Sequence, residues 1–216
     1  MDRHGGFDMK PKRIILVRHG ESEGNTDKRR LEAIPDYAHE LTAKGVGQAK
    51  AVGEKISGII GSETVHAYIS PWHRARQTFV EIQPALNVVK AYEDPRIREQ
   101  EWGHLREVGA NKIIQKERLA YGVFYFRIPD GESGADVYDR VSSFFETLHR
   151  DFAKDDYAEN TLIVTHGLAM RVFLMRWFHW SVEEFEALKN PANCEVAIME
   201  QMMDGRYTLA TELRKR

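Results

Sequence analysis

With 216 residues, 42% of them hydrophobic and 30% charged, the chain carries enough apolar content for a packed core, which excludes wholesale disorder. Its 31 Lys and Arg stand against 33 Asp and Glu, so nothing in the charge balance calls for nucleic acid or an anionic membrane as a partner. No apolar run approaches the ~18 residues of a membrane span, Met1 to Lys12 lacks the apolar core of a secretory signal, and the single cysteine, Cys194, excludes an intramolecular disulfide framework, which makes a reducing cytoplasm the default setting.

Residues 1–12 read as a flexible polar segment and 13–216 as a single domain. Arg13 to Val17 is a short β-rich apolar run, the pattern of a strand buried on both faces. Thr42 reads as the N-cap of a helix running to about Ile60, with Ala49, Val52 and Ile56 on one face. Val65 to Ile69 is the next strand. Ser70-Pro71 then reads as a helix start, a side-chain cap followed by proline at the first helical position.

Asn87 to Tyr92 is a further strand candidate, whereas residues 94–134, charged, aromatic and broken by glycine, form an insertion without a clear period. A helix over Ala135 to Phe152 buries Val137, Val141, Phe144, Phe145 and Leu148. Thr161 to Thr165 is a second buried strand, and Gly167 opens a helix to about His179. Ser181 to Glu184 fits a capping box, and Glu195 to Glu200 and Tyr207 to Leu213 close the chain as strands. Met199, Met202 and Met203 read as packing residues, Lys10 to Arg13 and Arg214 to Arg216 as solvated ends, and Cys194 as a structural thiol with nothing basic beside it. The aromatic run Trp177-Phe178-His179-Trp180 suits the core or a subunit contact and leaves a homodimer open. Strands alternating with helices predict an α/β fold, a three-layer α/β/α sandwich around a mostly parallel sheet.

Ligands of such sheets bind beyond the carboxyl ends of the strands. Three strand ends here carry phosphate-handling side chains: Arg18-His19-Gly20-Glu21-Ser22, Ser70-Pro71-Trp72-His73-Arg74, and Thr165-His166-Gly167. Phosphoryl transfer asks mainly for in-line placement and for positive charge over three equatorial oxygens. Arg18 and Arg74 offer two planar donor forks, and a neutral imidazole beside them is a competent nucleophile. A carboxyl group opposite the histidine serves as proton donor and then acceptor; Glu99 is the candidate, with Trp102 nearby to restrict water. The remaining histidines show no metal-ligand spacing, so neither a metal nor another cofactor enters the scheme. Arg3-His4-Gly5, which follows no strand, reads as coincidence.

The ordered set Arg18-His19-Gly20-Glu21-Ser22 with Asn25, Ser70-Pro71-x-x-Arg74-Ala75-x-x-Thr78, Arg98-Glu99-x-x-Trp102-Gly103 and Thr165-His166-Gly167 resembles the histidine phosphatase superfamily in its phosphoglycerate mutase-like branch. The resemblance covers nearly the whole chain. It implies that His19 is phosphorylated, that Arg18, Arg74 and His166 grip the phosphoryl oxygens, and that Glu99 moves the proton. It also places Asn25, Ser22, Glu21 and Gly167 in the substrate-binding set, with Glu132 of Pro129-Asp130-Gly131-Glu132-Ser133 near the pocket mouth. Two departures from the mutases favour a phosphatase of broader phosphomonoester range. Gln100 follows the glutamate where mutases carry arginine, and Tyr125-Phe126-Arg127-Ile128 offers one arginine where they carry an adjacent pair. The partner implied is a phosphorylated small molecule; a mutase-type isomerase and a non-catalytic phosphate-binding protein are the alternatives.

Overall fold

The computed structural model describes residues 11–103 and 108–216. Arg3-His4-Gly5 lies outside the described residues. Six strands form one mixed sheet: β1 (Arg13–Arg18), β2 (Thr64–Ile69), β3 (Asn87–Glu93), β4 (Asn160–Thr165), β5 (Val196–Gln201) and β6 (Tyr207–Leu209), in the spatial order β3-β2-β4-β1-β5-β6. The helices are α1 (Glu23–Thr26), α2 (Ala43–Ile60), α3 (His73–Ile82), α4 (Val108–Tyr121), α5 (Gly134–Phe152), α6 (Gly167–Phe178) and α7 (Val182–Glu186). The β1–β4, β2–β4 and β2–β3 pairs are parallel, and β5 and β6 add antiparallel pairs at one edge. This is the expected three-layer α/β/α sandwich with a mostly parallel sheet.

The strand period of two distributes β1 between two cores. Ile14 and Leu16 pack with α5 and α6, while Ile15 and Val17 pack with α2 and α3. Burial on both faces is what the unbroken apolar run of β1 demanded. No helix among the described residues is long and apolar enough to cross a membrane.

Local rules fix most helix ends. Thr42 caps α2 by accepting from Gly45 N at 3.1 Å, and α2 stops at Gly61, whose φ of +59° lies in the left-handed region. Ser133 and Ser181 cap α5 and α7 in reciprocal boxes with Asp136 and Glu184. The Ser70-Pro71 expectation is corrected: α3 begins at His73 with Trp72 as N-cap. Ser70 stays in register with the sheet, its N–H donating to Val164 O at 3.0 Å, and its hydroxyl faces His166 at 2.7 Å.

Other readings shift as well. Residues 94–134 contain α4, whose buried residues are only Ile114 and Arg118, which explains the absence of a readable apolar stripe. Strand β6 ends at Leu209 rather than Leu213. Met199 is buried, but Met202 and Met203 stand exposed beyond β5. Pro11 and Lys12 belong to the ordered fold, since Lys12 pairs with Glu63 and Glu159 and its carbonyl accepts from Gln201 N. Arg13 likewise pairs with Glu63, and Arg214 with Glu195, so these ends are not merely solvated.

One close approach sets the loop after β1. A Cβ on Gly45 would lie 2.1 Å from Glu21 O, so the first turn of α2 abuts the backbone following His19. Gly45→Ala is therefore expected to destabilise the protein by about 1–3 kcal/mol through overpacking. Gly47→Ala, on the same helix with nothing within 4 Å, is expected to stabilise it slightly, as helix propensity dictates. Thermal melts of the two variants check this, and equal midpoints would refute the packing assignment.

Candidate active site

Parallel pairing of β1 with β4 sets Arg18 opposite Thr165, and His19 N donates to Thr165 O at 2.9 Å. His19 and His166 thus leave adjacent strands at the same level, with ring centroids 5.0 Å apart. From the end of β2, Arg74 reaches the same point in the first turn of α3. Its Nε donates to His19 Nε2 at 3.1 Å, and its Nη1 donates to the Asp36 carbonyl at 2.5 Å and carboxylate at 3.1 Å. The Arg74 guanidinium also lies 4.6 Å above the Trp72 ring, which in turn meets His166 edge-on at 5.0 Å.

These contacts settle the tautomer of His19. Nδ1 is 2.7 Å from Gly20 O, a group that can only accept, so Nδ1 carries the proton. Nε2 consequently presents a lone pair toward Arg74. Burial, then the charges of Arg74 and Arg18, drive the His19 pKa well below its ordinary value near 6.5. His166 is lowered in the same way by burial and Arg74; its Nε2 meets Ser70 Oγ at 2.7 Å and its buried Nδ1 has no partner among the described residues. The geometry is that of a neutral nucleophile beside fixed positive charge.

His19 opens onto a cavity of about 620 Å³, a size suited to a small organic ligand and well beyond a lone phosphate. Arg18, Ser22, Asn25, Arg74 and Glu99 line it together with Trp102. Asn25 Oδ1 accepts from Ser22 N at 3.1 Å and from Asn193 Nδ2 at 2.9 Å. Glu99 Oε1 accepts from Gln100 N and Ala169 N, and Oε2 from Leu168 N, so its carboxylate sits on the start of α6.

Four expected residues stand back from the cavity lining. Glu21 is turned to Lys44 at 2.7 Å and Thr42 at 3.0 Å. Gly167 begins α6 against Asn190, where a Cβ would meet the Asn190 side chain at 2.4 Å. Glu132 pairs with Arg98 and Arg140 and accepts from Glu101 N, which braces the loop carrying Glu99. His166 is fully buried behind His19.

Several positions escaped the sequence reading. Asn193 ties Asn25 to the His19 carbonyl, and the loop containing it also accepts Arg18 Nη1 on Pro191 O. Arg140 donates to the carbonyls of Arg96, Arg98 and Glu99, holding the loop that carries Glu99 in place. Lys28, Lys112, Arg118, Arg171 and Arg216 add cations to the lining. Only Arg171 had a sequence signal, one helical turn after Gly167. Cys194 does have a basic neighbour: its N–H donates to Arg18 O, yet burial outweighs the Arg18 charge and pushes the thiol up to about 12. Among the described residues no three His, Cys, Asp or Glu side chains converge as metal ligands would.

Comparison with known proteins gives consistent results. A model of the histidine phosphatase superfamily (branch 1) matches residues 14–212. A phosphoglycerate mutase-like protein of Arabidopsis thaliana is 44% identical over 93% of this chain and 68% of its own length. A broad-range acid phosphatase of Saccharomyces cerevisiae is 30% identical, with 98% of this chain and 92% of the relative covered. Among solved structures, a mycobacterial glucosyl-3-phosphoglycerate phosphatase superposes with a TM-score of 0.73 at 20% identity, over 95% of this chain and all of that one, a likeness of fold.

Depressed pKa values make a prediction with a definite sign. Folding holds both rings neutral, so below about 6.5 the unfolded state binds more protons than the native state. Their contribution to stability is present above that value and is lost as pH falls from it toward the lower native pKa. An NMR titration of ring protons is expected to show His19 and His166 still neutral at a pH where an ordinary imidazole is mostly protonated. A midpoint near the ordinary value for either ring would refute the electrostatic account.

Proposed function

The chain belongs to branch 1 of the histidine phosphatase superfamily, and from that premise we propose that it is a phosphomonoester phosphatase in which His19 attacks phosphorus and Glu99 carries the proton. The observation that carries this reading is the Nδ1-protonated, buried His19, with its Nε2 lone pair facing the Arg74 Nε–H inside a ligand-sized cavity.

In the first step, phosphoryl oxygens take the Arg18 and Arg74 donors, so that Arg74 turns from Nε2 to the substrate. The Nε2–P bond forms as the P–O ester bond breaks, and Glu99, entering as the acid, protonates the departing oxygen. The Nδ1–H keeps its bond to Gly20 O and helps carry the positive charge that the ring acquires. In the second step, Glu99 takes a proton from water, oxygen attacks phosphorus, and the P–N bond breaks to release inorganic phosphate and the neutral imidazole. Fixed guanidinium charge fills the role that a metal plays elsewhere, so the scheme runs without one.

Hydrolysis is favoured over isomerisation by two observations. Arg127, the only arginine of the 125–128 stretch, pairs with Asp136 at 2.7 Å at the surface instead of facing the cavity. Relatives include a broad-range acid phosphatase and a metal-independent phosphoserine phosphatase. A reducing, cytoplasmic setting fits a chain whose only thiol is half-buried and held in its neutral form.

Purified protein is expected to hydrolyse an aryl phosphate in the presence of chelator, and His19→Ala to lose about a thousandfold or more of that activity. Acid-labile phosphate should be trapped on the wild type and not on the variant. Full inactivation by chelator, or turnover retained without His19, would overturn the mechanism. Glu99→Gln is expected to slow esters with poor leaving groups by about 10²–10⁴-fold and activated aryl esters by much less. Equal losses on both would make Glu99 a structural residue.

A further inference from the structure

The loop 191–195, just ahead of β5, grips the backbone that carries His19. Pro191 O accepts from Arg18 Nη1, and Cys194 N–H donates to Arg18 O at 3.1 Å and to His19 O at 3.2 Å. Asn193 adds two bonds through one nitrogen: Nδ2 donates to His19 O at 3.2 Å and to Asn25 Oδ1 at 2.9 Å. Cys194 holds φ at +58°, a left-handed conformation that residues with a Cβ rarely adopt. Backbone strain of that kind persists where the surroundings enforce it, and here it lies beside Asn193. Asn25 lines the cavity with His19, whereas Asn193 does not reach the lining.

Main-chain groups fix the orientation of both amides. Asn25 faces Ser22 N at 3.1 Å, and a backbone N–H can only donate, so the facing atom is Oδ1. The His19 carbonyl can only accept, so the Asn193 atom beside it is Nδ2. Asn25 Nδ2 is then the one polar atom of its side chain that makes no hydrogen bond among the described residues. Capping alone does not ask for asparagine here. A carboxylate at the third position of α1 would accept from Ser22 N and from Asn193 equally well. It would also set an oxygen where Nδ2 now stands. An amide is required only if the remaining partner is an acceptor, as a phosphoryl oxygen is.

We propose that Asn193 is a positioning residue for phosphoryl transfer: anchored on the His19 carbonyl, it holds Asn25 Oδ1 and so keeps the Asn25 N–H pair available to the phosphoryl group that meets His19. This role rests on the reading of His19 as the residue that attacks phosphorus. Asn193 makes and breaks no bond in the reaction; it settles the amide orientation before substrate arrives. The His19 carbonyl keeps its Cys194 N–H when Asn193 is removed, so the effect of that removal runs through Asn25.

A double-mutant cycle in the full chain, read by steady-state kinetics on an aryl phosphate, tests this. Asn25→Ala and Asn193→Ala are each expected to lower kcat/KM by about tenfold, the yield of one hydrogen bond to a charged group. With Asn25 already alanine, Asn193→Ala should cost about twofold or less, since its route to the phosphoryl group is gone. Two independent roles would instead multiply to about a hundredfold in the double variant. That result, or full activity in either single variant, would overturn the proposal. Calorimetric binding of vanadate across the same four proteins should repeat the pattern without turnover. If the wild type hydrolyses no ester while that binding pattern stands, the phosphatase reading falls alone. Should Asn193→Ala fail to fold by circular dichroism, side-chain amide NMR of the wild type decides. Vanadate is expected to shift the Asn25 N–H pair, assigned by its loss in Asn25→Ala, more than the Asn193 pair; an unmoved Asn25 pair would overturn the positioning role.

Discussion

Everything chemical in this protein depends on the parallel register of β1 against β4. Six consecutive pairs, from Arg13 with Asn160 to Arg18 with Thr165, align the two strand ends. Because both strands are buried on each face, a slip of one residue would exchange the two cores and turn every side chain over. The hydrophobic effect therefore fixes the register, and the register fixes where His19 and His166 emerge. A separation of 147 residues along the chain becomes 5.0 Å between rings through sheet packing alone.

That placement would be of little use if the rings were protonated. Burial and two nearby guanidiniums keep them neutral, and the same burial would be destabilising if the arginines had no acceptors at all. Arg74 shows how the apo site manages this: Asp36 takes Nη1 through its carbonyl and carboxylate, while His19 takes Nε. On the proposed mechanism a phosphoryl group need only take over the Nε–H from His19, while Asp36 keeps its hold on Nη1. The cost of ordering that side chain has been met in folding rather than in binding.

The sequence was legible where the physics is local or periodic. Buried strands β1 and β4 announced themselves as apolar β-rich runs, and Thr42 and Ser181 announced their helices as caps. Ser70-Pro71 misled because the same hydroxyl that caps helices also suits an imidazole, and the tertiary partner won. His19, Arg74 and Glu99 were readable as motif members, but their supports were not. Asn193 and Arg140 act across loops, and a loop contact leaves no period in the sequence. Arg118 was invisible for a related reason: α4 buries so little that its inward position cannot be told from its outward ones.

The two ends of the cavity differ in what holds them, and that difference bears on how specificity arises. The His19 end is built from strand termini, whose positions the core dictates through residues such as Ile15, Val17 and Val164. The Arg118 end is carried by α4, where Ile113, Leu119 and Tyr121 are exposed and only Ile114 joins Arg118 in burial. Substitutions on α4 disturb few packed atoms, so the charge and shape of that wall can change at small cost in stability. The neighbourhood of His19 has no such freedom, since a Cβ at Gly20 or Gly45 would meet another backbone at 2.6 or 2.1 Å. A rigid His19 end and a more permissive α4 wall are therefore consequences of packing density.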